Sequence, residues 1–247
     1  MNFLSKTILP LIIGLCLTFT PSVAKASCKI EDKLCIMDEI KASAPLIDQK
    51  SWRDKTYREL AKSYTYEGYE DKAIELIALI ETPDTKAMTI RGIGMAAADN
   101  KWPERDRYNI LFKKLSDEAK KIDHPPSYAI AYTYIAMAQA FAGDDAGAMT
   151  TAKGMENQAL RNKAYGETAE IQAERGDYTK AMESIAAIDS AAYRNKAYAT
   201  VAGIFTKTGK LGEAYATAEK IDNAYTKAQA YQKIVNYGNK EEMLEEE

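Results

Sequence analysis

Histidine is almost missing from this chain. The single one, His124, stands directly before Pro125 and Pro126, which marks a rigid turn and leaves general acid–base chemistry through histidine one poorly placed candidate. No glycine-rich phosphate loop, His-Glu-x-x-His helix, Gly-x-Ser-x-Gly elbow or Cys-x-x-Cys pair occurs, so the common signatures of nucleotide, zinc-protease, serine-hydrolase and thiol-redox chemistry are lacking. The 36 acidic residues are scattered over polar helix faces. The sequence therefore points to no enzyme and no cofactor. There is no basic excess either: Lys and Arg number 33 against those 36, and nucleic-acid binding lacks its electrostatic footprint. Only 7 prolines and 13 glycines occur in 247 residues, which excludes a low-complexity chain and suits packed helices.

What the N-terminus does hold is an export pattern. Lys6 precedes an apolar run over 8–19, then Pro21 and the small residues Ala24-Lys25-Ala26. Residues 1–26 are expected to be a secretory signal, placing the mature chain in the periplasm or another extracytoplasmic space. The run is about a dozen residues, short of the roughly 20 a spanning helix needs, so no stable membrane insertion is expected after cleavage. Lys25-Ala26-Ser27 before Cys28 is unlike a bacterial lipobox. Cleavage removes Lys6 and Lys25, leaving 31 of the 33 basic residues and a net charge of about −5. It also removes Cys16, so Cys28 and Cys35 remain in a compartment where disulfides persist. Seven residues of continuous helix would rise about 10.5 Å, beyond the roughly 7 Å that a bridge spans. A Cys28–Cys35 bond therefore requires the chain at Cys28 to fold back, the competing readings being two free thiols or a metal site.

The organising feature is a tandem repeat. Segments 161–193 and 194–226 both open with Arg-Asn-Lys-Ala-Tyr and run in register, Gly176 falling on Gly209, Ala169 on Ala202, Ala181 on Ala214 and Ile188-Asp189 on Ile221-Asp222. With that pair as template, further starts lie at Arg53, at Lys86-Ala87-Met88, at Ile130-Ala131-Tyr132 and at Lys227-Ala228-Gln229. Each is followed by a turn: Gly68, Asp99-Asn100, Gly143, Gly176, Gly209 and Gly238-Asn239. Apolar or small residues at helical spacing, such as Tyr57, Leu60, Ala61 and Tyr64, or Ala181, Met182, Ile185 and Ile188, give each half of the unit one buried face. Helix, glycine turn, helix is the unit.

A large aromatic, an alanine four later, a glycine turn and a further alanine resemble the tetratricopeptide repeat (TPR). Tyr57, Ala61, Gly68 and Ala73 carry the resemblance, as do Tyr132, Ala136, Gly143 and Ala148, then Tyr165, Ala169, Gly176 and Ala181, and finally Tyr198, Ala202, Gly209 and Ala214. Together they cover most of 53–238. The chain departs from that pattern in having tyrosine for the signature tryptophan, few terminal prolines, and periods of 31 and 33 residues where the family has about 34. The resemblance implies an all-α fold, a right-handed α-solenoid of antiparallel helix pairs with about five full repeats flanked by half repeats.

Ile47-Asp48 lies six residues before Arg53 as Ile188-Asp189 lies before Arg194, so 27–52 reads as a capping half repeat, with Ile30, Leu34 and Met37 expected to face inward. Residues 53–238 hold the repeats and 239–247 an acidic tail. The second unit is 11 residues too long, and the excess falls in 103–122, a lengthened helix starting at Pro103.

Lys55, Lys86, Lys163, Lys196 and Lys227 fall in one column near the start of each first helix. The resemblance puts first helices on a concave face, where such a column meets acidic groups of a protein or peptide partner. The alternative is that Arg-Asn-Lys opens the helix and pairs with the Asp of the preceding Ile-Asp turn. The family's carboxylate clamp wants asparagines where this chain has Glu167, Glu170, Thr200 and Gly203. Tyr57, Tyr132, Tyr165 and Tyr198 match the packing aromatic, whereas Tyr134 and Tyr231 are expected to show a ring to the groove. The leading expectation is a non-catalytic binding scaffold. A structural, oligomerising repeat protein and an accessory subunit of an envelope enzyme remain open.

Overall fold

The computed structural model describes residues 28–239. The expected signal (1–26) and all of the acidic tail beyond residue 239 lie outside the described residues. Within them the regular elements are helical: α1 (Lys33–Ser43), a 3-10 turn (Ala44–Leu46), α2 (Lys50–Tyr66), α3 (Glu70–Leu79), α4 (Pro83–Asp99), α5 (Arg105–Ala119), α6 (Pro125–Phe141), α7 (Asp145–Lys153), α8 (Gln158–Glu174), α9 (Tyr178–Ala186), α10 (Ala191–Lys207), α11 (Leu211–Ala218) and α12 (Ala224–Val235).

Local chemistry sets the starts. Pro83 and Pro125 open α4 and α6, where a missing N–H costs nothing. Asn157 and Asn223 cap α8 and α12 by accepting from Leu160 N at 3.0 Å and Thr226 N at 2.9 Å, and Asp144 and Asp177 do the same for α7 and α9, each cap worth about 1 kcal/mol. Gly68, Gly143, Gly176 and Gly209 end the long helices with φ of 73–82°. In each turn the glycine N–H reaches back three residues and the next N–H reaches back five, as in Gly176 to Ala173 O (2.8 Å) and Asp177 to Gln172 O (2.9 Å). These are Schellman closures, which glycine makes without strain.

Long and short helices alternate. Each long helix packs on the next long one, α2 on α4, α4 on α6, α6 on α8, α8 on α10 and α10 on α12, and on the short helix that follows it. Small residues allow the close approach within a pair: Ala61 and Ala73, Ala136 and Ala148, Ala169 and Ala181, and Ala202 and Ala214 are at most 1% exposed. In the α4/α5 pair Gly94 and Leu115 take those two places, and the two helices meet less closely. A Cβ on Gly94 would stand 2.6 Å from that of Ala138 and 3.8 Å from Leu115 Cδ1.

The structure corrects the sequence register. Four of the five steps between long-helix starts are 33 residues, and α4 to α6 is 42, so the insertion is nine residues and not eleven. Only part of it lengthens a helix: α5 has 15 residues where α9 has 9. It starts at Arg105, two residues after Pro103, with Glu104 at the N-cap. In this register the glycine slot of α4 falls to Lys101, whose φ of 50° makes it the one non-glycine with positive φ among the described residues. Here Trp102 N does not reach Ala97 O directly. The Tyr108 hydroxyl stands between them, accepting from Trp102 N at 2.9 Å and donating to Ala97 O at 3.3 Å.

At the N-terminus Cys28 and Cys35 are bonded, with Cα atoms 5.7 Å apart, and Cys28 precedes the helix that holds Cys35. Of the residues expected to face inward, Met37 is buried, Leu34 is half-buried against the core, and Ile30 is 79% exposed. Ile30 lies ahead of α1, where no helical face carries it inward.

Candidate binding face

Arginine, not lysine, makes the recurring contact at the start of the long helices. Arg53, Arg161 and Arg194, each the fourth residue of its helix, donate to the carbonyl six residues earlier: Ile47 at 3.1 Å, Met155 at 2.9 Å and Ile188 at 2.8 Å. Arg53 and Arg161 use a second nitrogen on the acidic residue of the next loop, Glu81 at 2.5 Å and Asp189 at 3.0 Å. The adjoining Asp54, Asn162 and Asn195 accept from backbone N–H groups of those following loops, Glu81 and Thr82 for Asp54, Asp189 for Asn162 and Asp222 for Asn195. Although burial pushes the Asp54 carboxyl up, its bonds from Thr82 and Glu81 hold it below its usual value. This corner therefore ties one helix pair to the next, and Arg53 and Arg161 pair with the acidic residue that follows, not with the one that precedes.

Lys55, Lys163 and Lys196 share the sixth position of their helices and are exposed. Lys86 and Lys227 do not join them. They fall two residues earlier, in the arginine column, because α4 begins at Pro83 and α12 at Ala224. Lys86 lines a depression of about 290 Å³ with Glu75 and Glu118, on the side of α3 and α5. Lys55 lies 5.1 Å from the Trp52 ring centre. Tyr231 falls in the packing column of Tyr57, Tyr165 and Tyr198, and its ring stacks on Tyr215 at 5.3 Å. That leaves Tyr134, Lys163 and Lys196 together on the face of α6, α8 and α10, with Lys55 further along it.

The centre of this face is not uniformly basic. Tyr134 is half-buried, its hydroxyl 3.6 Å from Met88 Sδ, with the Arg91 guanidinium 5.6 Å from its ring centre. Beside it Glu167 pairs with Lys163 at 3.6 Å while its side chain remains only 25% exposed. One carboxyl oxygen, Oε2, is buried without a hydrogen-bond partner. Burial pushes the Glu167 carboxyl up, against the pull of Lys163, Arg91 and Lys196. Burial and the neighbouring Glu167 charge push Glu170 up as well. Next along, Gly203 would meet nothing within 4 Å of an added Cβ, so the surface beside the two carboxyls is open. An open face with two half-buried carboxyls, flanking cations and an aromatic edge suits donors of a polypeptide, amide or ammonium, more than it suits a uniformly acidic ligand.

Sequence reasoning passed over the two glutamates, since carboxylates on a helix surface are common and burial is a tertiary property. Their places were marked only as departures from the clamp. His124 caps the start of α6, its Nδ1 2.6 Å from Ser127 Oγ, and Ser127 donates to Asp84. Ser127 is fully buried, so this chain of three polar groups orders a turn and presents no nucleophile. Among the described residues no group of three or more His, Cys, Asp or Glu converges as a metal site, and no helix is long and apolar enough to cross a membrane. Compared with protein-family models, curated proteins and solved structures, the chain matches none.

Proposed function

We propose that this protein is an exported, non-catalytic scaffold, a right-handed solenoid of TPR-like helix pairs, that holds a protein or peptide along the open face of its long helices. The observation that supports this most directly is Glu167. A carboxyl oxygen buried without a partner costs stability by about 1–3 kcal/mol, and it sits on an accessible face between Lys163 and Tyr134. A bound chain that draws the partly exposed Glu167 side chain outward and donates an N–H or an ammonium to it relieves the cost, and Lys163 and Lys196 then meet its acidic groups. The reading places the protein in the periplasm or a comparable extracytoplasmic space, with no cofactor.

The test is capture from native envelope extract with wild type and with Lys163→Gln/Lys196→Gln. Glutamine is chosen at both because reversal would set a third carboxylate near Glu167 and Glu170, on which these lysines pull. Exposed charges rarely change stability by more than about 0.5 kcal/mol. The variant should keep the wild-type circular dichroism and melting curve but lose the captured partner, and added salt should weaken wild-type capture as it screens exposed pairs. A folded variant that captures the same partner undiminished refutes the reading.

A further inference from the structure

The two ends of the described chain are halves of one interior joint. It begins on a short helix, α1, with no long helix before it, and ends on a long helix, α12, with no short helix after it. In every interior pair the residue 11 places after a long-helix start (Ala61, Gly94, Ala136, Ala169, Ala202) is buried, and at α12 that residue is Val235, 80% exposed. The residue ten places before a long helix (Ala73, Leu115, Ala148, Ala181, Ala214) is completely buried, and before α2 it is Ile40, 40% exposed. Three places before a long helix stand Ile80, Ile122, Met155, Ile188 and Ile221, all buried, whereas Ile47 is only half-buried.

The groove beside α2 has the same origin. About 330 Å³ opens between Ile40 of α1 and Trp52, Leu60 and Ser63 of α2. Ser63 is exposed there, while in its column Ala96, Ala138 and Ile171 are buried and Ile204 is half-buried. Charge is complementary across the ends as well. At two of the interior joints the fourth residue of a long helix binds the acidic residue two places before the next, Arg53 to Glu81 and Arg161 to Asp189. The same rule applied to α12 gives Lys227, and applied to the start of the chain gives Asp48, which is exposed.

We infer that α12 of one copy docks on α1 and α2 of a second copy, head to tail, with Val235 against Ile40 and Lys227 on Asp48. Ile40 and Val235 are larger than the alanines of the interior pairs, so this joint is wider than those. The contact is heterologous, so it propagates into a linear array or closes as a ring, and does not stop at a two-fold dimer. This goes beyond the proposed partner face, since it uses the ends of the row and leaves Tyr134, Glu167 and Lys196 uncovered.

The test is sedimentation of the full exported chain at rising concentration, with Ile40→Glu and Val235→Glu alone and mixed. A charge placed in an apolar joint should weaken association about 10- to 100-fold, while both sites are exposed enough for the monomer to fold, which circular dichroism checks. Wild type should grow in mass with concentration, and each variant should stay monomeric. An equimolar mixture should form a one-to-one dimer, because each variant keeps the end that the other lost. Exchanging charges as Asp48→Lys/Lys227→Asp should restore what either change alone weakens. A wild type monomeric at about 1 mM, the range of the weakest specific contacts, overturns the inference. So does a dimer that both variants weaken and mixing does not rescue, which marks a two-fold contact. A wild type that self-associates only once residues 240–247 are deleted also overturns it, and assigns the α12 face to the chain's own end.

Discussion

Replacing Lys101 by glycine should stabilise the protein, although it removes a side chain and adds none. Lys101 occupies the slot held by Gly68, Gly143, Gly176 and Gly209 in the other long-helix turns, at φ 50° against their 73–82°. An L-residue in this left-handed region costs about 1–2 kcal/mol, and the greater freedom of glycine in the unfolded chain returns about 0.4–1 kcal/mol of that. A net gain of about 0.5–1 kcal/mol remains, which raises the melting temperature by about 1–4 °C for a chain of this size. The second half of the prediction concerns Tyr108, 3% exposed. Its hydroxyl bridges Trp102 N and Ala97 O, so Tyr108→Phe should cost about 1–2 kcal/mol by leaving both groups unpaired. In the Lys101→Gly background the turn is free to take the glycine geometry, in which those two groups bond directly as they do at Gly176. There Tyr108→Phe should cost less than half as much. Urea unfolding of the four proteins, with the slope checked for constancy, gives the cycle. A destabilising Lys101→Gly, or a Tyr108→Phe cost unchanged by it, refutes the account of this turn.

Three further outcomes follow from the electrostatics and the disulfide. Burial holds the Glu167 carboxyl above its unfolded value of about 4.3, so between the two values the native state binds more protons and stability falls as pH rises through that window. Glu167→Gln should therefore stabilise by about 1 kcal/mol at pH 7 and by nothing measurable below about pH 4, by urea midpoints at both. Asp145 behaves oppositely: burial pushes it up, but Lys180 at 2.9 Å, Arg175 at 2.6 Å and Gln172 at 3.1 Å hold it below its usual value. Its contribution is present above the unfolded value of about 3.9 and lost as pH falls through the lower folded one, and Asp145→Asn should cost about 1–2 kcal/mol at pH 7. Reducing Cys28–Cys35, a closure over seven residues, should destabilise the α1 region by about 2.5 kcal/mol, seen as faster amide exchange in α1 with α6 to α10 unchanged.

Some of this protein was fixed by composition and period alone. Alanine at two places in four of the units allows close helix pairs, and glycine at their turns admits a left-handed closure without strain, so the helix pair could be read from 161–226 without coordinates. The fold-back before α1 also follows from length once Cys28 and Cys35 are bonded, since a helix rises too far for the two sulfurs to meet, whereas the bond itself was one of three readings until the structure showed it. The register failed at Lys86 and Lys227 for a local reason. A shared Lys-Ala in those units outweighed the true marker of helix start, Pro83 in one and the Asn223 cap in the other, and the glycine that would have exposed the slip is Lys101.

What the tertiary structure alone decided are contacts made across a loop or between helices, from six to 28 residues apart and beyond. Nothing near Arg161 in sequence says that its guanidinium spans the Met155 carbonyl and Asp189, and nothing near Tyr108 says that its hydroxyl completes a turn begun eleven residues earlier. Glu167 is the plainest case. On a helical wheel it is one surface carboxylate among 36 acidic residues, and only the packing of α8 between its neighbours withdraws one of its oxygens from water. Periodicity encodes which face a residue takes, because that depends on its own helix. Whether solvent reaches the atom depends on every helix packed around it.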